Sequence, residues 1–142
     1  MNPIYQVAAN AQAGRNGSVS TEDEQLKLDL SYPKEMGGSG AGNNPEQLFA
    51  AGYAACFSNA ILHVASQQKI KVTEAPVRAN VAIGPREDGG FALAVTLDVT
   101  MDIEQTQAVE LVGVAHQVCP YSHAIKGNIE VVVKVNNESI IG

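Results

Sequence analysis

The most regular pattern in the chain lies in residues 91–103, FALAVTLDVTMDI, where Leu93, Val95, Leu97, Val99 and Met101 alternate with Thr96, Asp98, Thr100 and Asp102. A period of two puts the apolar set on one face of a pleated strand and the polar set on the other. Residues 71–87, KVTEAPVRANVAIGPRE, read as a second long strand, and the Asp88-Gly89-Gly90 that separates the two is a hairpin signal. Residues 4–31 read as short strands punctuated by turns at AGRNG and TEDE, and residues 128–136, NIEVVVKVN, as a closing strand. Between the first strands and the hairpin, residues 32–44, YPKEMGGSGAGNN, form a glycine-rich loop able to adapt around a site.

Two segments have helical character instead. In residues 44–69, Asn44 suits an N-cap, Pro45 the first helical position, and Glu46 the positive end of the helix dipole. Leu48, Phe49, Tyr53, Cys56, Phe57, Ile61, Leu62 and Val64 then fall on every side, which predicts a buried central helix. The small residues Ala50, Ala51, Gly52, Ala54 and Ala55 let another element approach it closely. Residues 104–119, EQTQAVELVGVAHQVC, are amphipathic, with Ala108, Leu111, Val112, Ala115, Val118 and Cys119 at helical spacing; Pro120 ends the pattern near Cys119. The order of strands, long helix, hairpin, helix and strand is that of one α+β domain over residues 1–142.

Composition narrows the function. Of the 142 residues, 45% are hydrophobic and 17% charged, a globular balance. The net charge of −6 and the lack of any lysine or arginine cluster argue against nucleic acid or an anionic membrane as partner. The start, MNPIYQVAAN, has no signal-peptide pattern, and no uninterrupted apolar run is long enough to span a bilayer. The expectation is a cytoplasmic protein, and in that compartment two cysteines more often mean redox or metal chemistry than a structural staple.

Cys56 lies inside the first helix and Cys119 at the end of the second, 63 residues later, so only the fold brings them together. An apolar surround opposes ionisation of a thiol, and a nearby arginine reverses that preference. Of three arginines, Arg86 belongs to a hairpin tip and Arg78 to the solvent face of a strand. Arg15, in a turn flanked by glycines, is the best functional candidate. Histidine offers another chemistry: His116 precedes Cys119 by three residues and His63 follows Cys56 by seven, so a Cys₂His₂ metal site is conceivable. The spacing supports it weakly, and surface or core roles for both histidines are the plainer reading.

Residues 43–57, NNPEQLFAAGYAACF, together with residues 118–131, VCPYSHAIKGNIEV, resemble the organic hydroperoxide resistance (Ohr) proteins of the OsmC/Ohr superfamily. Residues 13–38 are similar to that family's N-terminal region, so the resemblance spans about residues 10–135. GYAACF and CPYS point to the Ohr branch rather than the OsmC branch. After CPYS, His123, Ile125 and Lys126 depart from the family's usual sequence. The resemblance implies curved antiparallel sheets wrapped around two central helices in an intertwined homodimer. It implies a thiol peroxidase for organic hydroperoxides, alkyl or fatty-acid, without metal or other cofactor. Cys56 takes the place of the reactive cysteine, Cys119 of the resolving cysteine, Arg15 of the thiolate-binding arginine and Glu46 of the residue that orients it. An external dithiol, dihydrolipoamide or a lipoylated protein, is the implied reductant. Phe57, Met36 and Tyr121 are candidate pocket residues. The alternatives are an OsmC-type peroxidase of broader specificity and a non-enzymatic thiol redox sensor.

Helix geometry adds one expectation. Glu46 and Cys56 are ten residues apart, about 15 Å along a helix axis and on different faces. One guanidinium cannot easily meet both in the same chain. A homodimer in which Glu46 of one subunit serves Cys56 of the other resolves the conflict.

Overall fold

The computed structural model describes residues 1–142, which group into two compact units, Met1–Leu48 and Phe49–Gly142. In the first unit, β1 (Ala9–Gln12), β2 (Ser18–Thr21) and β3 (Lys27–Asp29) form an antiparallel sheet in that order. Its register pairs Ala11 with Val19 and Val19 with Leu28. The AGRNG turn between β1 and β2 is a 3₁₀ turn over Gly14–Asn16, entered through left-handed Ala13 and Gly14. Gly17 closes it. A Cβ there would sit 1.6 Å from the Gln12 carbonyl oxygen, so only glycine lets the chain fold back this tightly.

The long helix α1 (Pro45–Gln67) starts as its sequence predicts. Asn44 Oδ1 accepts the Gln47 N–H at 2.9 Å, and Gln47 Oε1 accepts the Asn44 N–H at 3.1 Å. This reciprocal box satisfies two backbone donors at the helix entrance.

In the second unit, β4 (Val77–Pro85) and β5 (Phe91–Val99) form the expected hairpin. Helices α2 (Gln105–Val118) and α3 (Pro120–Ile125) follow, then β6 (Val131–Val135) and β7 (Glu138–Ile141). The sheet order is β4-β5-β6-β7. The β5–β6 pairing is parallel, whereas the other pairings are antiparallel as expected. The helices between β5 and β6 supply the long crossover that a parallel pair needs. The core is made of Tyr53, Phe57, Ile61 and Val64 from α1, Val95, Leu97 and Val99 from β5, Leu111, Val112 and Ala115 from α2, and Val133 and Val135 from β6.

One expectation about α1 changes. It is apolar on all sides but not buried on all sides, because Ala51, Ala55, Asn59 and His63 form an exposed row opposite the Tyr53–Phe57–Ile61 row. By length and composition it could cross a bilayer, although Ser58, Asn59 and His63 interrupt its apolar residues. Its inward row accounts for much of that apolar character, since it forms the core against β5 and α2.

Candidate active site

Pro120 shapes the region around Cys119. Lacking an N–H and clashing with a helical predecessor, it forces the preceding residue out of helical conformation. Cys119 accordingly has extended dihedrals (φ −63°, ψ 122°), ending α2 and capping α3. Its side chain is fully buried. Cys56 is half-buried on α1. The two free thiols lie with their sulfurs 3.7 Å apart. Burial pushes the Cys56 thiol above its ordinary pKa, the backbone N–H of Tyr121 pulls it down, and the neighbouring Cys119 raises it again. The apolar surround therefore opposes the thiolate, as composition suggested, and within residues 49–142 only a backbone N–H acts the other way.

In the first unit, the β1–β2 turn presents Arg15 and the first turn of α1 presents Glu46. The guanidinium and carboxylate meet as a two-bond fork, Nη1–Oε2 at 2.7 Å and Nη2–Oε1 at 2.6 Å. Both side chains are largely shielded, 23% and 16% exposed. Tyr32 lies beneath, with its ring centroid 5.9 Å from Arg15 Cζ. The hydrogen bonds from Arg15 hold the Glu46 carboxyl below its ordinary value of 4.5, against the opposing effect of burial. A depressed carboxyl stabilises the fold above its unfolded value, and that contribution fades as pH falls through its folded value. The loss thus belongs below about pH 4.5. The urea midpoint of the wild type is expected to fall more steeply between about pH 5 and pH 3 than that of Glu46→Gln, and equal slopes would show the pair to be without effect on stability.

The four predicted residues thus form two close pairs, Cys56 with Cys119 and Arg15 with Glu46. The predicted pocket residues fare differently. Phe57 is fully buried, packed edge-on to Tyr53 and tilted against His116, and belongs to the core rather than to an open wall. Met36 is exposed, at the end of a 3₁₀ turn over Lys34–Met36. Tyr121 is 41% exposed and lies over Gly52, where a Cβ would come within 2.9 Å of its hydroxyl. The cavity beside Cys56, about 260 Å³, is lined instead by Asn59, Ala60, His63, Val118 and Pro120. Asn59 and His63 lie one and two turns beyond Cys56, a spacing that could have revealed them.

The Cys₂His₂ alternative fails on geometry, because no three histidine, cysteine or carboxylate side chains converge to hold a metal ion. His63 sits on the exposed row of α1, while His116 packs on Phe57 with its Nδ1 buried and unpartnered. Burial, and then Lys126, lower the His116 pKa. Sequence reasoning also missed a buried hydrogen bond, Tyr53 Oη to Ser122 Oγ at 2.7 Å, beside the thiol pair.

Residues 37–134 match the family model described as OsmC-like protein. The chain is 46% identical over 131 residues to an organic hydroperoxide resistance protein of Xanthomonas axonopodis pv. citri, covering 90% of this chain and 92% of the relative. It is 42% identical over 139 residues to organic hydroperoxide resistance protein-like 2 of Staphylococcus saprophyticus, covering 96% and 98%. Among solved structures, a Vibrio cholerae protein provisionally assigned as an organic hydroperoxide resistance protein superposes with a TM-score of 0.96 at 64% identity, covering 98% of this chain and 96% of that one. That crystal contains captopril in one of its active sites.

Proposed function

The chain belongs to the OsmC-like family, among its organic hydroperoxide resistance proteins, and from that premise we propose that it is a thiol peroxidase that reduces organic hydroperoxides to alcohols. The observation that carries the reading is the approach of two free thiols, distant in sequence, to 3.7 Å. In the first step the Cys56 thiolate attacks the outer oxygen of ROOH. The O–O bond breaks, the alkoxide takes a proton and leaves as ROH, and Cys56 becomes a sulfenic acid. In the second step Cys119 attacks that sulfur. An S–S bond forms, and hydroxide leaves and is protonated to water. A dithiol then restores both thiols by exchange, giving up two electrons and two protons and becoming a disulfide itself. A dihydrolipoyl group, free or on a lipoylated protein, is the proposed reductant.

The Arg15–Glu46 pair is assigned to the first step. A fixed guanidinium favours the thiolate against burial and stabilises the charge that shifts onto the peroxide oxygens. Arg15→Ala is expected to slow Cys56 oxidation by about a hundredfold, and Arg15→Lys by less, since lysine keeps the charge but loses the fork. Stopped-flow measurement of thiol oxidation checks this, and near wild-type rates in both variants would reduce Arg15 to a turn residue.

An apolar cavity favours an organic R group over hydrogen peroxide, at about 0.8 kcal/mol for each methylene it buries. The captopril in the Vibrio cholerae relative supports a site open to organic ligands. The working unit is proposed to be a homodimer. The exposed row of α1 begins with the small residues Ala51 and Ala55, and the helix runs unbroken from Pro45 to Gln67. Because Glu46 and Cys56 stand ten positions apart on that helix, the Arg15–Glu46 pair of one subunit is assigned to Cys56 of the other. Steady-state turnover of tert-butyl hydroperoxide or a fatty-acid hydroperoxide against hydrogen peroxide, with dihydrolipoamide as reductant, tests the function. Equal efficiency on hydrogen peroxide would overturn the organic preference, and absence of turnover would overturn the enzyme.

A further inference from the structure

Tyr53 and Ser122 are the two ends of a hydrogen bond that the peroxidase chemistry does not use. Tyr53 is fully buried, Ser122 is 3% exposed, and their hydroxyls meet at 2.7 Å. Each lies within one turn of a reactive thiol. Tyr53 precedes Cys56 by three residues on α1, the spacing at which helix side chains are neighbours. Ser122 follows Cys119 by three residues, in the first turn of α3. Between them lies Tyr121, whose backbone N–H lowers the Cys56 pKa. The bond therefore ties the turn that carries Cys56 to the turn that carries Cys119 and Tyr121. Aromatic packing reinforces it, with the Tyr53 and Tyr121 ring centroids 5.8 Å apart. Pro120 has no N–H, and the backbone bonds at the α2–α3 junction, from Cys119 N–H to the Ala115 carbonyl and from His123 N–H to the Cys119 carbonyl, both 2.9 Å, run within α2 and α3, so neither ties the junction to α1.

We propose that the Tyr53–Ser122 hydrogen bond is a clamp that positions Cys119 against Cys56, so that both are positioning residues for disulfide closure. The inference rests on the reading of the two thiols as a redox pair. Without the clamp, the reduced junction spreads over more conformations, and closure has to reverse that spread. The oxidised form keeps the geometry through its own S–S bond. Loss of the clamp therefore favours the reduced form. A buried hydroxyl that merely fills space would stabilise both forms alike.

The test is the equilibrium of the full-length protein with reduced and oxidised glutathione, in which the dithiol passes two electrons and two protons to the glutathione disulfide. Tyr53→Phe removes one oxygen, Ser122→Ala removes the other, and Ser122→Thr keeps the hydroxyl. The equilibrium constant for Cys56–Cys119 disulfide formation is expected to fall about tenfold in Tyr53→Phe and Ser122→Ala and to stay near wild type in Ser122→Thr. The double variant Tyr53→Phe/Ser122→Ala is expected to fall no further than either single one, as two ends of one bond require. After one equivalent of tert-butyl hydroperoxide, the same variants are expected to leave more Cys56 sulfenic acid for capture by dimedone. Constants within about twofold of wild type in both Tyr53→Phe and Ser122→Ala overturn the clamp, even where the melting temperature falls. The glutathione arm needs no peroxidase activity. A shifted constant in a protein that turns over no hydroperoxide would keep the clamp and reject the proposed enzyme. Should Ser122→Ala fail to fold, Tyr53→Phe decides alone, since it deletes only an oxygen from a ring that stays in place.

Discussion

Cys56→Ser is expected to lower hydroperoxide turnover by more than about a thousandfold, whereas Cys119→Ser is expected to complete one reduction and then stop. The difference follows from order. Only Cys56 must act before the O–O bond breaks, and a serine hydroxyl is too weakly acidic and nucleophilic to replace its thiolate. Cys119 is fully buried and enters once the sulfenic acid exists, reached across the 3.7 Å that separates the sulfurs. In its absence no internal disulfide forms, and excess peroxide carries Cys56 on to sulfinic acid. Single-turnover experiments with protein in excess over peroxide separate the two variants. Cys56→Ser should form no alcohol, and Cys119→Ser should form one equivalent at close to the wild-type rate. A folded Cys119→Ser protein that formed none would reverse the assignment of the two cysteines.

Much of this arrangement is legible in the chain because local rules act without competition. Pro120 ends α2 whatever packs around it, and the Asn44-Pro45-Glu46 start carries its own capping chemistry. The alternation in β5 survives because one of its faces meets the core. Other features depend on partners far away in sequence. The pairing of Arg15 with Glu46 spans 31 residues and that of Tyr53 with Ser122 spans 69, and no periodicity records either. Phe57 could not be told from a pocket residue, because a helix that is apolar on all sides gives no sign of which row faces the sheet. The strand β7 was missed although a local cue for it exists. Asn136 and Asn137 both adopt positive φ, the conformation that asparagine tolerates and a two-residue hairpin requires. The Cys₂His₂ reading failed because spacing along helices says nothing about whether four side chains converge.

Mixing Cys56→Ser with Glu46→Ala subunits is expected to restore activity that neither variant has alone. The Arg15–Glu46 fork forms within one chain, and in the proposed dimer it serves Cys56 of the other. Cys56→Ser homodimers lack the nucleophile in both sites. Glu46→Ala homodimers leave Arg15 without its fork in both sites and should react about a hundredfold more slowly. A mixed dimer gathers both defects into one site and leaves the other complete. At equal mixing about half of the dimers are mixed, each with one working site of two, so recovery should approach about a quarter of wild-type activity. Arg15→Ala in place of Glu46→Ala should complement Cys56→Ser equally well, because it damages the same fork. Native mass spectrometry establishes that subunits have exchanged, and turnover with dihydrolipoamide reads the recovery. Verified mixed dimers without recovery would place the fork and Cys56 in one protomer's site. The guanidinium would then have to serve Glu46 and Cys56 of one helix across about 15 Å of its length.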